Sequence, residues 1–228
     1  MVPPGLAAEN VAATRRENSM EIAIIGTGRM AAGLGKGWLR AGHTVTFGSR
    51  DPAGRGEFLR QIGPGARAVS HDEAIAAAEA VVLALPYRDA GPFAQDHAAA
   101  LRDKVVIDIT NPFDAMPDNR ISGAEITAGA IGEGARVVAA FKTNFTNTLS
   151  QPVDAGGLQR DVFYCGDDEA AGRVVRQLIE ELGLRPVDCG PLRAARVLDP
   201  MVPLMIEMDR RLGGKGTTRR SHWKFATP

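Results

Sequence analysis

The sequence predicts an α/β fold with a doubly wound, mostly parallel sheet of about eight strands, followed by a C-terminal helix. Three observations predict this class. Short apolar runs alternate with segments of helical periodicity along the 228 residues, an order that produces parallel sheets. Residues 81–86 and 104–110 are almost continuously apolar, as strands covered by helices on both faces are. A glycine-rich turn joins the first strand to the first helix.

The apolar runs indicate where the strands lie. They are expected at residues 21–25, 43–47, 81–86, 104–110, 136–141, 161–165 and 184–188. Gly42 is a favourable C-cap for the helix between the first two strands, and Ser70 with Glu73 has the spacing of a capping box that begins another helix. After Asn111-Pro112-Phe113 the sequence is irregular to about residue 134, which predicts a functional or mobile loop over 113–134.

The last helix is expected to begin at Asp199-Pro200 and to end at Gly213. It should bury an apolar stripe that consists of Met201, Leu204, Met205, Met208 and Leu212. Because this apolar face is wide, we expect it to need a partner beyond its own sheet, and therefore predict a homodimer. Residues 1–19 are expected to be a disordered N-terminal extension, and residues 20–228 a single domain.

Composition excludes several classes of partner. The 27 basic and 27 acidic side chains cancel, so no charge excess predicts binding to nucleic acid or to a membrane surface. No apolar run approaches the roughly 20 residues of a membrane span, and residues 1–19 lack the apolar core of a secretory signal. The two cysteines predict neither a metal site nor a disulfide framework. We therefore expect a cytoplasmic protein.

The glycine-rich turn predicts a dinucleotide site. Its pattern is Gly26-x-Gly28-x-x-Ala31, which follows a strand and begins a helix, as it does where a pyrophosphate lies on a helix N-terminus. The small side chain of Ala31 is expected to pack the helix on the strand. The turn residues expected to bind the cofactor are Gly26, Thr27, Gly28, Arg29 and Met30.

Ser49 and Arg50 predict which dinucleotide is bound. Arg50 follows Gly28 by 22 residues, at the end of the second strand, where an NAD-binding protein usually has a carboxylate. A hydroxyl and a guanidinium instead favour the 2′-phosphate of NADP, because the planar guanidinium matches phosphate oxygens. Asp51 is discordant with this prediction, because a carboxylate would repel the 2′-phosphate. Its neighbour Pro52, however, indicates that Asp51 caps a helix and so has another role.

The ends of three further strands are expected to surround the nicotinamide half of the cofactor. Ligands of doubly wound sheets lie outside the carboxyl ends of the strands. The strand at 81–86 ends in Leu85-Pro86, and the strand at 104–110 leads into Asn111-Pro112. After the strand at 136–141, the side chains of Lys142, Thr143 and Asn144 offer an ammonium, a hydroxyl and an amide to a second substrate.

The chain resembles the NADP oxidoreductases that depend on the deazaflavin coenzyme F420. The resemblance covers roughly residues 20–212 and rests on the two cofactor motifs, on Leu85-Pro86 and on three later blocks. These blocks are Val138-Ala139-Ala140-Phe141-x-Thr143, Cys165-Gly166-Asp167-Asp168 and the sequence LRPVDCGPL at 184–192. Family members usually have glycine in place of Ala31, and other side chains are common in place of Lys142.

The resemblance implies a Rossmann-like domain that binds NADP(H) in the crevice of its sheet, with Ala140 among the cofactor-binding residues. It also implies a homodimer that transfers hydride reversibly between NADP(H) and coenzyme F420. The redox chemistry of such a reaction belongs to the cofactors, so no catalytic side chain is predicted. Two alternatives remain open: an NADPH-dependent reductase of another small acceptor, such as an imine, a flavin or a ferric chelate, and a non-catalytic NADP-binding sensor.

Overall fold

A computed structural model describes residues 19–113, 120–212 and 221–226 of the chain, and eight strands in this part form one sheet. They are β1 (Glu21–Ile25), β2 (Thr44–Gly48), β3 (Arg67–Val69), β4 (Ala80–Leu83), β5 (Val105–Asp108), β6 (Arg136–Ala139), β7 (Asp161–Gly166) and β8 (Arg185–Asp188). Their order across the sheet is β3-β2-β1-β4-β5-β6-β7-β8. All neighbouring pairs are parallel except β6 and β7. The predicted fold class is confirmed.

Eight α-helices cover the two faces of the sheet in the described part of the chain. They are α1 (Arg29–Ala41), α2 (Gly56–Ile62), α3 (His71–Ala77), α4 (Tyr87–Asp96), α5 (Ala98–Leu101), α6 (Gly123–Ile131), α7 (Glu169–Glu180) and α8 (Ala195–Leu212). Alternate residues of β1 point to opposite faces, so Ile22 and Ile24 join one apolar core while Ala23 and Ile25 join the other. In the described residues, no helix is both long enough and apolar enough to cross a membrane.

Several local predictions are confirmed. Gly42 ends α1 in the left-handed conformation, with φ at 99°. Ser70 and Glu73 form a reciprocal capping box at the start of α3. Ala31 is fully buried in the core beneath α1.

The stretch from 113 to 134 is not irregular throughout, which corrects the predicted loop. It contains α6, which begins at a second capping box formed by Ser122 and Glu125. This spacing is the same as that of Ser70 and Glu73 and is readable from sequence. The short edge strand β3 is a second element that the apolar runs did not locate. Residues 114–119, and residues 1–18 of the extension predicted at 1–19, lie outside the described part.

The last helix also differs from the prediction. It begins at Ala195, one turn before Asp199, because Asp199 turns into the core instead of capping the helix. Of the predicted apolar stripe, Met205 is buried, whereas Leu204, Met208 and Leu212 are exposed. The buried face of α8 therefore lies along a different line, which comprises Leu198, Asp199, Val202, Met205 and Asp209.

Candidate functional site

The glycine turn between β1 and α1 has the shape that a bound phosphate requires. Gly26 has φ at +119°, and a Cβ there would lie 2.4 Å from the carbonyl oxygen of Ala84 on the neighbouring chain segment. Only glycine meets both conditions. A Cβ on Gly28, in contrast, would meet nothing within 4 Å, so open space adjoins the first turn of α1. The turn thus fits a pyrophosphate on the helix N-terminus.

One end of the site is a cavity of about 500 Å³ beside the end of β2. Ser49 and Arg50 line it together with Arg55 and His71. Arg50 is exposed and forms no ion pair within the described ranges. Asp51 does not oppose an anion here, because its carboxylate accepts a hydrogen bond from the Gly54 amide at 3.1 Å and from Arg55 at 3.4 Å. The N-cap of the short 3₁₀ turn Ala53–Arg55 is Pro52, one residue after the predicted Asp51, although the Asp51 side chain still accepts from the Gly54 amide.

The other end is a cavity of about 570 Å³ beyond β4, β5 and β6. Its wall is largely apolar and aromatic, with Met30, Phe141 and Val202 among the lining residues. Gly28, Ala84, Leu85 and Pro86 line both cavities. The two cavities therefore form one continuous crevice along the carboxyl ends of the strands, where doubly wound sheets bind ligands.

Most of the residues predicted from sequence line this crevice. They are Gly26, Thr27, Gly28, Arg29, Met30, Ser49, Arg50, Leu85, Pro86, Asn111 and Asn144. Four others do not line either cavity: Pro112, Ala140, Lys142 and Thr143. Ala140 is fully buried in the apolar core, and Thr143 is 2% exposed. In the structure these four side chains therefore do not border the crevice.

Lys142 is the largest correction, because its ammonium lies inside the protein instead of facing a substrate. The side chain is fully buried, and so are those of Asp108 and Asp199. Nζ lies 3.3 Å from Asp108 Oδ1, 3.0 Å from Asp199 Oδ1 and 2.5 Å from the carbonyl oxygen of Thr110. We refer to Lys142, Asp108 and Asp199 as the buried ion cluster.

Each carboxyl group of the buried ion cluster accepts at least one further hydrogen bond. Asp108 Oδ1 accepts from the amide and hydroxyl of Thr110, and its Oδ2 accepts from the Thr127 hydroxyl at 2.8 Å. Asp199 Oδ2 accepts from the Gly123 amide at 3.0 Å. Such bonds offset part of the cost of removing charges from water. The cluster thereby joins β5, the end of β6, α6 and α8.

The amine of Lys142 stays charged in this environment. Burial by itself lowers the pKa of Lys142, but the adjacent carboxyl groups of Asp108 and Asp199 outweigh burial and hold the pKa above its ordinary value. Tyr87, in the wall of the larger cavity, also senses the cluster. Burial raises the pKa of the Tyr87 hydroxyl, and the charge of Asp199 raises it further. The charges of the buried ion cluster therefore act on the wall of the crevice, although the three side chains of the cluster do not line the crevice.

The backbone at the end of β6 explains why Lys142 turns inward. Phe141 has φ at 56°, a left-handed conformation that is unfavourable for a bulky residue and is concentrated at functional sites. The chain turns sharply at Phe141, two residues after the end of β6. Phe141 therefore lines the crevice, while the side chain of Lys142 enters the core. The carbonyl of Lys142 then accepts a hydrogen bond from Asn111 Nδ2 at 2.9 Å, which ties the end of β6 to the end of β5.

Several lining residues carry no sequence signal of their own. Arg55 and His71 belong to the smaller cavity, whereas Tyr87, Phe113, Phe145, Thr146 and Val202 belong to the larger one. Tyr87 directly follows the predicted Leu85-Pro86, so extending that prediction by one residue would have placed it in the site. Val202 reaches the crevice only because α8 packs across the ends of the strands. No motif in the sequence predicts that contact.

The fold and the crevice define an α/β dinucleotide-binding protein of the Rossmann type. A family model described as "NADP oxidoreductase coenzyme F420-dependent" matches residues 21–112. The chain is 31% identical to the F420-dependent NADP reductase of Methanothermobacter thermautotrophicus, over 84% of this chain and 90% of that protein. The chain therefore belongs to the family of F420-dependent NADP oxidoreductases, and the resemblance read from the motifs is confirmed.

Two further relatives agree over most of their length. The F420-dependent NADP reductase of Methanocaldococcus jannaschii is 30% identical, over 87% of this chain and 96% of that protein. A crystal structure from Arthrobacter sp. fb24, assigned as an F420-dependent NADP-reductase, superposes with a TM-score of 0.81 at 27% identity. That match covers 92% of this chain and 100% of the other. The similarity to these proteins thus extends well beyond residues 21–112.

Proposed function

We propose that this protein is an oxidoreductase that transfers a hydride between NADP(H) and coenzyme F420. The observation that carries the proposal is the continuous crevice, which has at one end a polar cavity with Ser49 and Arg50, the latter unpaired among the described residues, and at the other end a larger, apolar cavity. Membership of the family supports the identity of both ligands. No side chain is required as an acid or base, because the two cofactors supply the redox chemistry.

The residues of the chain would bind and orient NADP(H) along the crevice. The turn Gly26-Thr27-Gly28 and the first turn of α1, with Arg29 and Met30, would hold the pyrophosphate, since the structure leaves open space at Gly28. Ser49 and Arg50 would hold the 2′-phosphate, and Leu85, Pro86 and Asn111 would border the nicotinamide.

The larger cavity would receive the deazaflavin ring. Its apolar residues Met30, Phe141 and Val202 would exclude water, and its volume of about 570 Å³ is within the range of cofactor sites. Orientation of two reactants in such a site accounts for much of a rate enhancement. Asn144 also borders this cavity, and its Nδ2 donates a hydrogen bond to the carbonyl oxygen of Asp161 at 2.9 Å.

The test is transfer of an isotopic label in a single turnover. Purified protein mixed with oxidised coenzyme F420 and NADPH deuterated at the transferred position should reduce the deazaflavin and place deuterium on its ring. A flavin, an imine and a ferric chelate serve as comparison acceptors under the same conditions. Reduction of one of these, with no reduction of coenzyme F420, would instead support a reductase of another small acceptor. Tight NADP binding with no reduction of any acceptor would leave the sensor alternative.

We also propose that the protein is a homodimer that pairs through α8. Val197, Leu204 and Leu212 on this helix are 66%, 52% and 80% exposed, which forms an apolar strip suited to a second copy. We expect light scattering to report a dimer at micromolar concentration and Leu204→Glu to shift it toward monomer. Val153→Glu is the matched control, because Val153 is 50% exposed but lies outside α8. A wild-type monomer would contradict the proposal.

A further inference from the structure

His71 lies in the wall of the cavity at Ser49 and Arg50 and has no role in the function proposed above. It is the first residue of α3 and lines the same cavity as Ser49, Arg50 and Arg55. Its ring lies against the end of β2, since a Cβ on Gly48 would come within 3.2 Å of His71 Cδ2. The imidazole is therefore placed next to the two residues assigned to the 2′-phosphate.

The surroundings of His71 favour its neutral form in the free protein. Burial lowers the pKa of His71, and the charges of His97 and Arg50 lower it further, whereas Asp72 opposes them. The ring of Phe93 packs edge-on at 5.2 Å and that of His97 at 6.1 Å. The remaining charged groups of the cavity wall are Asp51, Arg55 and Asp89. Asp51 is paired with Arg55, which leaves Arg50 as the cation of this wall that has no ion-pair partner among the described residues.

A 2′-phosphate in this cavity would favour the charged form of His71 instead of the neutral one. The phosphate carries nearly two negative charges near neutral pH, and an adjacent anion stabilises the charged form of an imidazole. The imidazolium would then donate a hydrogen bond to a phosphate oxygen, and such charge-assisted bonds are among the strong ones in proteins.

We propose that His71 is a further ligand of the 2′-phosphate and takes up a proton from solvent when NADP binds. The inference rests on the NADP site of the proposed function and adds a pH-dependent step to its selectivity. NADP affinity should rise as the pH falls through the pKa that His71 has in the complex. NAD lacks the phosphate, so its affinity should not follow this titration.

The experiment is isothermal titration calorimetry of NADP⁺ and NAD⁺ from about pH 6 to 8, in pairs of buffers with different heats of ionisation. The wild-type protein should take up as much as one proton with NADP⁺ and none with NAD⁺. His71→Asn should abolish this uptake and weaken NADP⁺ at about pH 6.5 by roughly tenfold, since one charge-assisted hydrogen bond contributes at least that much.

His222→Asn is the matched control, because His222 lies 2.9 Å from the carboxylate of Asp154 and does not line this cavity. This variant should keep the proton uptake. The 2′-phosphate also titrates near pH 6. Because His71→Asn removes the imidazole and leaves the phosphate, any proton uptake or release that remains in this variant belongs to the phosphate. The wild-type measurement stands by itself if a variant fails to fold.

Two results would overturn the inference. One is NADP⁺ binding to the wild-type protein with no more proton uptake than in His71→Asn. The other is an equal loss of NAD⁺ and NADP⁺ affinity in His71→Asn, which would place the ring against the adenosine that both cofactors share. Neither result bears on hydride transfer, which the labelled NADPH assay tests separately. A failure of that assay would in turn leave the proton uptake measurable.

Discussion

Lys142→Met is expected to lower the free energy of unfolding by about 3–5 kcal/mol. The substitution removes the only cation of the buried ion cluster and leaves the carboxyl groups of Asp108 and Asp199 buried together. Both carboxyl groups have no exposure to solvent, so water cannot replace the lost ammonium. Urea unfolding followed by circular dichroism at neutral pH measures the difference. A loss below about 1 kcal/mol, typical of a surface substitution, would contradict the burial of this cluster.

Two companion variants sharpen the experiment. Lys36→Met is the control, because Lys36 is an exposed lysine on α1 and its substitution should change stability by less than about 0.5 kcal/mol. Lys142→Met combined with Asp199→Asn should recover part of the loss, since an amide oxygen can still accept from the Gly123 amide while one acid is removed. A double variant less stable than the single one would argue against charge as the cause.

The pH dependence of this effect has a definite sign. The pKa of Lys142 is raised in the folded protein, so its stabilising contribution is complete below the ordinary lysine value of 10.5 and is lost only above it. In Lys142→Met the two acids would instead bind protons more readily in the folded state. The destabilisation should therefore shrink as the pH is lowered from 7 toward about 5.

Arg50→Ala is expected to weaken NADP⁺ binding by about 1.5–3 kcal/mol, or roughly 10- to 100-fold. It removes a charge-assisted contact to the 2′-phosphate. Because the Arg50 side chain is exposed, added salt should reduce the effect, and we expect the lower part of the range at physiological ionic strength. NAD⁺ affinity should barely change, since NAD⁺ has no group for the guanidinium to bind. Titration of both cofactors by fluorescence or calorimetry gives the two losses directly.

The control for Arg50 is Arg60→Ala. Arg60 is also exposed and lies on α2, but it does not line the cavity, so it reports the general effect of losing one positive charge near the site. Equal losses of NAD⁺ and NADP⁺ in Arg50→Ala would show that the guanidinium contacts a part common to both cofactors. An unchanged NADP⁺ affinity would remove Arg50 from the site.

The sequence by itself predicted the features that depend on a few neighbouring residues. The turn at Gly26 and Gly28 needs a particular backbone conformation and open space, and glycine alone provides both. The capping box of Ser70 and Glu73 and the continuous apolar runs of β4 and β5 likewise act within a few residues. These signals determined the fold class, the family and the phosphate end of the crevice.

Only the tertiary structure decided what lies around Lys142. Its partner Asp108 is 34 residues away in sequence and Asp199 is on the last helix, so no local pattern records that three charged groups meet in the core. A lysine after a strand end is normally expected to reach solvent, because burying an unpaired charge is costly. Here the two carboxyl groups and the left-handed turn at Phe141 make the inward position possible. Packing of α8 across the strand ends determined the rest of the crevice, including Val202.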